Sequence, residues 1–209
     1  MNAPTTKRAK RNRTRSFPIE TKEKWDVVCS AVRFELLEFL VACGPCSIAE
    51  LASHVGAKAD SLYHHIRKMT QAGLVVETEL RRAGRQTEAV YDVVADQFEF
   101  DTDVAPESLM KLMRSLHRRS ERNFEKSLHA GAIDFSARSR NAFIRGETAR
   151  LTAKDLRHVK KLLTEIMDVF EEARTNDSGT LFSLGFDLMP LCGRVDNPSK
   201  TTAPSSSDS

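Results

Sequence analysis

The stretch DSLYHHIRKMTQAGLV, residues 60 to 75, decides how the rest of the 209-residue chain is read. Leu62, Ile66 and Met69 recur at steps of four and three, which places them on one face of a helix. Ser61, Tyr63, His64, Arg67 and Lys68 fall on the other face. Gly73 sits where a helix-ending glycine belongs, so the spacing predicts a helix from about Ala59 to Ala72. Such a helix docks on a core with one side and shows donors, acceptors and positive charge with the other.

Upstream, Ser47-Ile48-Ala49-Glu50 is a capping box. The Ser47 hydroxyl can accept the Glu50 amide, and the Glu50 carboxylate can accept the Ser47 amide. A short helix is expected from Ile48 to about His54, stopped at Gly56. Before it, Ser30 is a candidate cap for a helix running to about Ala42, with Val28, Val32, Leu36 and Leu40 at four-residue steps. Gly44 and Pro45 end that helix. Downstream, LVVETEL and AVYDVVA are β-rich runs around the basic turn RRAGRQTE. Three helices and a basic hairpin describe a winged helix-turn-helix, whose second motif helix suits a DNA major groove.

Residues 60–75 and GPCSIAELASHVG (44–56) resemble the corresponding helices of the ArsR-like winged-helix transcriptional regulators. The resemblance covers about residues 25 to 95. It implies double-stranded DNA as partner, with contacts from Lys58, Ser61, Tyr63, His64, Arg67 and Lys68 on the helix and Arg81, Arg82 and Arg85 on the wing. His65, one step round, is expected to be structural, against a backbone carbonyl. Metal-sensing members carry a Cys-x-Cys pair near the start of the recognition helix, and this helix has no cysteine. Metal sensing is therefore not implied.

The chain does contain Cys43-Gly44-Pro45-Cys46, a C-x-x-C. A thioredoxin-type pair follows a strand and opens a helix, where the helix terminus lowers a thiol pKa. Here Cys43 ends one helix and Cys46 precedes the next cap, so helix termination alone accounts for Gly44-Pro45. One C-x-x-C supplies two metal ligands, and Cys29 and Cys192 stand apart. A thiol- or metal-responsive role through Cys43 and Cys46 is the weakest of the readings. Neither metal nor cofactor is expected.

Charge is unevenly spread. KRAKRNRTR (7–15) holds six of the basic residues and no acid, so removing it turns the net charge from +3 to −3. This segment reads as a disordered tail, either merely solvated or an arm that adds phosphate contacts. Residues 17–100 hold nine basic and thirteen acidic side chains, a net of −4. That balance disfavours indiscriminate coating of DNA and keeps a second reading open, a winged helix that binds protein.

In the second half, helices are expected at 107–130 and 152–174, the latter capped by Thr152 with Asp155 three residues on. NAFIRGETARL (141–151) and GTLFSLGFDLMPL (179–191) look like strands. The polar run His117, Arg118, Arg119, Glu121, Arg122 reads as a solvated face. Phe143, Phe170, Phe182 and Phe186 either fill a core or line a pocket for a small-molecule effector. There is no Gly-rich phosphate loop, nucleophile elbow or recognisable carboxylate pair, so no catalytic residue and no enzyme is expected. No run approaches the ~20 apolar residues of a membrane span.

The reading is an α+β chain with five parts. A basic disordered tail (1–19) precedes the winged helix-turn-helix (20–96). A linker (97–106) leads to a small α+β or helical dimerisation region (107–192), and a Ser/Pro-rich tail (193–209) follows. The expected protein is a cytoplasmic, bacterial, homodimeric DNA-binding regulator, more naturally a repressor than an activator.

Overall fold

The structure is a computed structural model, and it describes residues 13–84, 86–100, 105–174, 176 and 178–191. The expected helices are present. They are α2 (Ala31–Cys43), α3 (Ile48–Val55) and α4 (Ala59–Gln71), with a short additional α1 (Lys22–Val28) in front. The capping box at the start of α3 is complete: Glu50 N donates to Ser47 Oγ at 3.3 Å and Ser47 N to Glu50 Oε2 at 2.7 Å. Gly56 ends α3 at φ +66, a left-handed position that a side chain would strain. Ser30 occupies the N-cap of α2 but makes no side-chain cap bond.

The core is where these helices meet. Leu36 and Leu40 of α2, Leu51 of α3, and Leu62, Ile66 and Met69 of α4 are all buried, together with Val28, Leu74, Val75 and Val93. Burying each such side chain contributes about 1.5–3 kcal/mol, which is why the apolar stripe of α4 dictates which face it turns outward.

The wing is the hairpin β3 (Val75–Ala83) and β4 (Gln86–Val93), and the two-residue β2 (Cys46–Ser47) adds to β4. A bulge lies at Thr78, since Glu77 pairs with Tyr91 and Glu79 with Val90. Without the extra residue Arg81 would stand opposite Thr87; with it, Arg81 stands opposite Glu88.

Two expected boundaries move. Thr14–Ile19 is a strand, β1, paired in parallel with β5 (Ala95–Phe100). Part of the supposed tail and part of the supposed linker therefore close around the helical core. Phe17 meets Phe98 edge-on at 6.3 Å, and Trp25 meets Phe100 at 5.4 Å between ring centroids. Arg13 enters with β1 and is buried. Its Nε donates to Asp92 Oδ2 at 3.0 Å and its Nη2 to Asp92 Oδ1. Nη1 reaches Asp96 Oδ1 at 3.0 Å, and Nη2 reaches the Leu40 carbonyl at 2.8 Å. Arg13 thus joins β4, β5 and the C-terminal turn of α2. The rest of the expected basic arm, 1–12, and the tail 193–209 lie outside the described residues, as does Cys192.

The second half is helical rather than α+β. Helices α5 (Pro106–His129) and α6 (Ala153–Ala173) are as expected, and the Thr152–Asp155 capping box is complete. The strands expected at 141–151 and 179–191 do not form; both segments are irregular and exposed. A strand needs a neighbour for its backbone groups, and among the described residues neither segment has one.

The polar run on α5 is only partly a solvated face: His117, Arg118 and Glu121 are exposed, but Arg119 and Arg122 are not. Arg119 is buried, pairs with Glu38 and lies over the Phe34 ring. Arg122 pairs with buried Glu35, and Lys126 Nζ donates to the Val55 carbonyl at 2.7 Å. Helix α5 therefore docks on α2 and caps the end of α3 through charge. Of the phenylalanines expected to fill a core or line a pocket, Phe143 is 82% exposed and Phe182 and Phe186 lie open to solvent, while Phe170 is half-buried. No residue of α6 is buried.

Candidate nucleic-acid interface

Helix α4 turns its polar side outward as its periodicity requires. Tyr63 is 58% exposed, and Ser61, His64, Arg67 and Lys68 are exposed around it. Lys58 holds the N-cap position, exposed, and its carbonyl accepts the Ser61 hydroxyl at 2.7 Å. That bond occupies the Ser61 proton and leaves the oxygen's outer side available as an acceptor. His65 is half-buried. Burial, with Arg33, His64 and Lys68 adding to it, pushes its pKa down, so it is neutral at pH 7. Its Nδ1 is buried without a hydrogen-bond partner among the described residues, so the expected carbonyl contact does not form at that nitrogen.

A cleft of about 560 Å3 runs between α4 and the root of the hairpin. Tyr63, His64 and Arg67 line one side, Glu77 and Tyr91 the other. Burial raises the Tyr91 hydroxyl pKa, and the Glu77 carboxylate and Tyr63 add to the rise. At neutral pH this hydroxyl is a neutral donor beside the exposed face.

The three wing arginines have different surroundings. Arg81 Nη2 lies 2.6 Å from Glu50 Oε2 and 3.3 Å from Glu88 Oε1. Burial works to raise the Glu50 pKa, but the Ser47 amide and Arg81 outweigh it and hold the carboxyl below its ordinary value. Arg82 is exposed and makes no ion pair among the described residues. Arg85 lies outside them. The structure therefore gathers Lys58, Ser61, Tyr63, His64, Arg67 and Lys68 on one helix face, leaves Arg82 open on the hairpin, and engages Arg81 elsewhere.

The cysteine pair is not built as a reactive site. Cys29, Cys43 and Cys46 are not in disulfides. Cys46 is buried, its Sγ donates to the Gly44 carbonyl at 3.3 Å, and burial first, then nearby Glu50, pushes its thiol up to about 12. Cys43 is exposed. In the native protein at pH 8, iodoacetamide is expected to modify Cys43 and leave Cys46 untouched until denaturant is added. Mass spectrometry of the digested product checks this, and rapid native labelling of Cys46 would contradict it. Among the described residues no group of His, Cys, Asp and Glu could hold a metal ion, and no helix is long and apolar enough to cross a membrane.

A three-helix core with an exposed second motif helix and a flanking hairpin is a winged helix-turn-helix. Residues 30–78 match the model of a family described as a helix-turn-helix domain. Among solved structures the chain is similar to a possible transcriptional regulator for arsenical resistance. The identity is 24% over 55% of this chain and 100% of that one, with a TM-score of 0.29. It is also similar to a mutant of Lactococcus lactis ZitR in apo form, at 11% identity over 67% of this chain and 81% of that one, TM-score 0.23. No curated protein matches the chain.

Proposed function

We propose that the protein is a sequence-specific, DNA-binding transcriptional repressor that works as a homodimer in the bacterial cytoplasm. The observation that carries this reading is the division of α4. Leu62, Ile66 and Met69 are buried, while Tyr63, His64, Arg67 and Lys68 stand exposed together. That face fits a major groove: Arg67 and Lys68 can reach guanine edges or phosphates, and the Tyr63 ring can meet a thymine methyl. The net charge of −4 over residues 17–100 supports binding concentrated on this face rather than a general basic surface.

The test is selection of random duplex DNA with the full-length protein. An inverted repeat with half-sites about one helical turn apart is expected. Enrichment of nothing, both at low salt and at ~150 mM, would sink the reading in favour of a protein-binding winged helix.

The homodimer draws support from α6. Leu156, Val159, Leu163, Ile166 and Phe170 repeat at steps of three and four, the seam spacing of paired helices, yet none of them is buried within one chain. Ile166→Glu is expected to convert a dimer into a monomer, read by light scattering after size exclusion. A dimer of unchanged stability would place the contact elsewhere.

A further inference from the structure

The hairpin is tied to the helix-turn-helix by one acidic side chain. Glu50 Oε2 accepts the Ser47 amide at 2.7 Å, closing the cap of α3, and accepts Arg81 Nη2 of β3 at 2.6 Å. Ser47 itself pairs with Val90 of β4 and is buried. The bulge at Thr78 sets Arg81 opposite Glu88, which lies 3.3 Å from the same guanidinium nitrogen. Three elements, α3, β3 and β4, converge on this ion triad. Neighbours along a strand point to opposite sides, so fixing Arg81 inward turns Arg82 outward.

Resting on the reading of this face as a DNA interface, we propose that Arg81 is a positioning residue and not a DNA contact. Held by Glu50 and Glu88, it sets the hairpin against the capped end of α3, so that Arg82 is the one of the two described wing arginines presented to the phosphate backbone. The same pairing neutralises Glu50, a carboxylate that would otherwise repel phosphate from the start of the helix-turn-helix.

Two measurements on full-length protein separate these roles. The first is the affinity for the selected duplex and a scrambled one, across a salt series. Arg82→Ala is expected to flatten the dependence of log K on log salt by about one and to weaken both duplexes alike. Arg81→Ala and Glu50→Gln leave that slope unchanged and weaken the selected duplex by up to about fivefold, as for an exposed ion pair. The double variant is no weaker than Arg81→Ala alone. A slope reduced by about one in Arg81→Ala, or tighter binding in Glu50→Gln, overturns the proposal.

The second measurement needs no DNA. Amide hydrogen exchange in the hairpin is expected to speed up by up to about fivefold in Arg81→Ala and Glu50→Gln and to stay unchanged in Arg82→Ala. Unchanged exchange in Arg81→Ala overturns the positioning role whether or not DNA binds. Failure of the wild type to bind any duplex overturns the DNA reading separately.

Discussion

Replacing Arg13 by alanine is expected to destabilise the N-terminal domain by about 3–5 kcal/mol, the range for removing one partner from a buried ion pair. The Asp92 side chain is only 5% exposed, and its countercharge is the Arg13 guanidinium. Without it, a carboxylate stays in the interior, where Val93 N is its other hydrogen-bond donor. The Leu40 and Val41 carbonyls, in the last turn of α2, lose their side-chain donor at the same time. For a domain of this size each kcal/mol lowers Tm by roughly 4–8 °C, so a fall on the order of 15 °C or more should appear in thermal melts. Arg13→Lys keeps the charge but cannot make the two-pronged contact, and should fall between. Combining Arg13→Ala with Asp92→Asn should recover part of the loss, because the stranded charge is then gone. A single variant within ~1 kcal/mol of wild type would show that Arg13 is an ornament of the tail after all.

Replacing His64, Arg67 and Lys68 together by alanine is expected to reduce affinity for the selected site by at least about a hundredfold at ~150 mM salt. A good base contact contributes about 1–3 kcal/mol and phosphate contacts add a salt-dependent share. All three side chains are exposed, and the helix keeps its buried Leu62, Ile66 and Met69. Stability should therefore stay within about 0.5 kcal/mol of wild type. Affinity is read by fluorescence anisotropy with a labelled duplex, and folding by circular dichroism of the same samples. A loss below tenfold with intact folding would remove this face as the DNA-binding surface.

The two experiments probe residues of similar appearance in the sequence. Arg13 and Arg67 are both arginines in basic surroundings, and residue type alone does not sort them. Arg67 could be placed because it belongs to a helix whose apolar period points the other way. Arg13 could not, because its partners Asp92 and Asp96 lie about eighty positions away and only the β1–β5 pairing brings them close. The same holds for Arg119. Among charged neighbours on a helix it reads as solvated, and only the docking of α5 on α2 sets it against Glu38 and the ring of Phe34. Arg81 is a third case: a one-residue bulge, invisible as a pattern, chooses its cross-strand neighbour.

What the sequence determined by itself is local. Helix stripes, capping boxes at Ser47 and Thr152, and the glycine stops at Gly44 and Gly56 depend on neighbours within a few positions, where the chain's own geometry makes the contact. Those signals were enough for the winged helix-turn-helix and for the outward face of α4. What only the tertiary structure decided depends on distant partners. The parallel clasp of β1 on β5, the buried guanidinium of Arg13, the ionic seam between α2 and α5, and the absence of strands at 141–151 and 179–191 all turn on whether a complementary group arrives from elsewhere in the chain. A charged side chain or an extended segment is neutral about its fate until that partner is in place, because burying it without one costs more than leaving it in water.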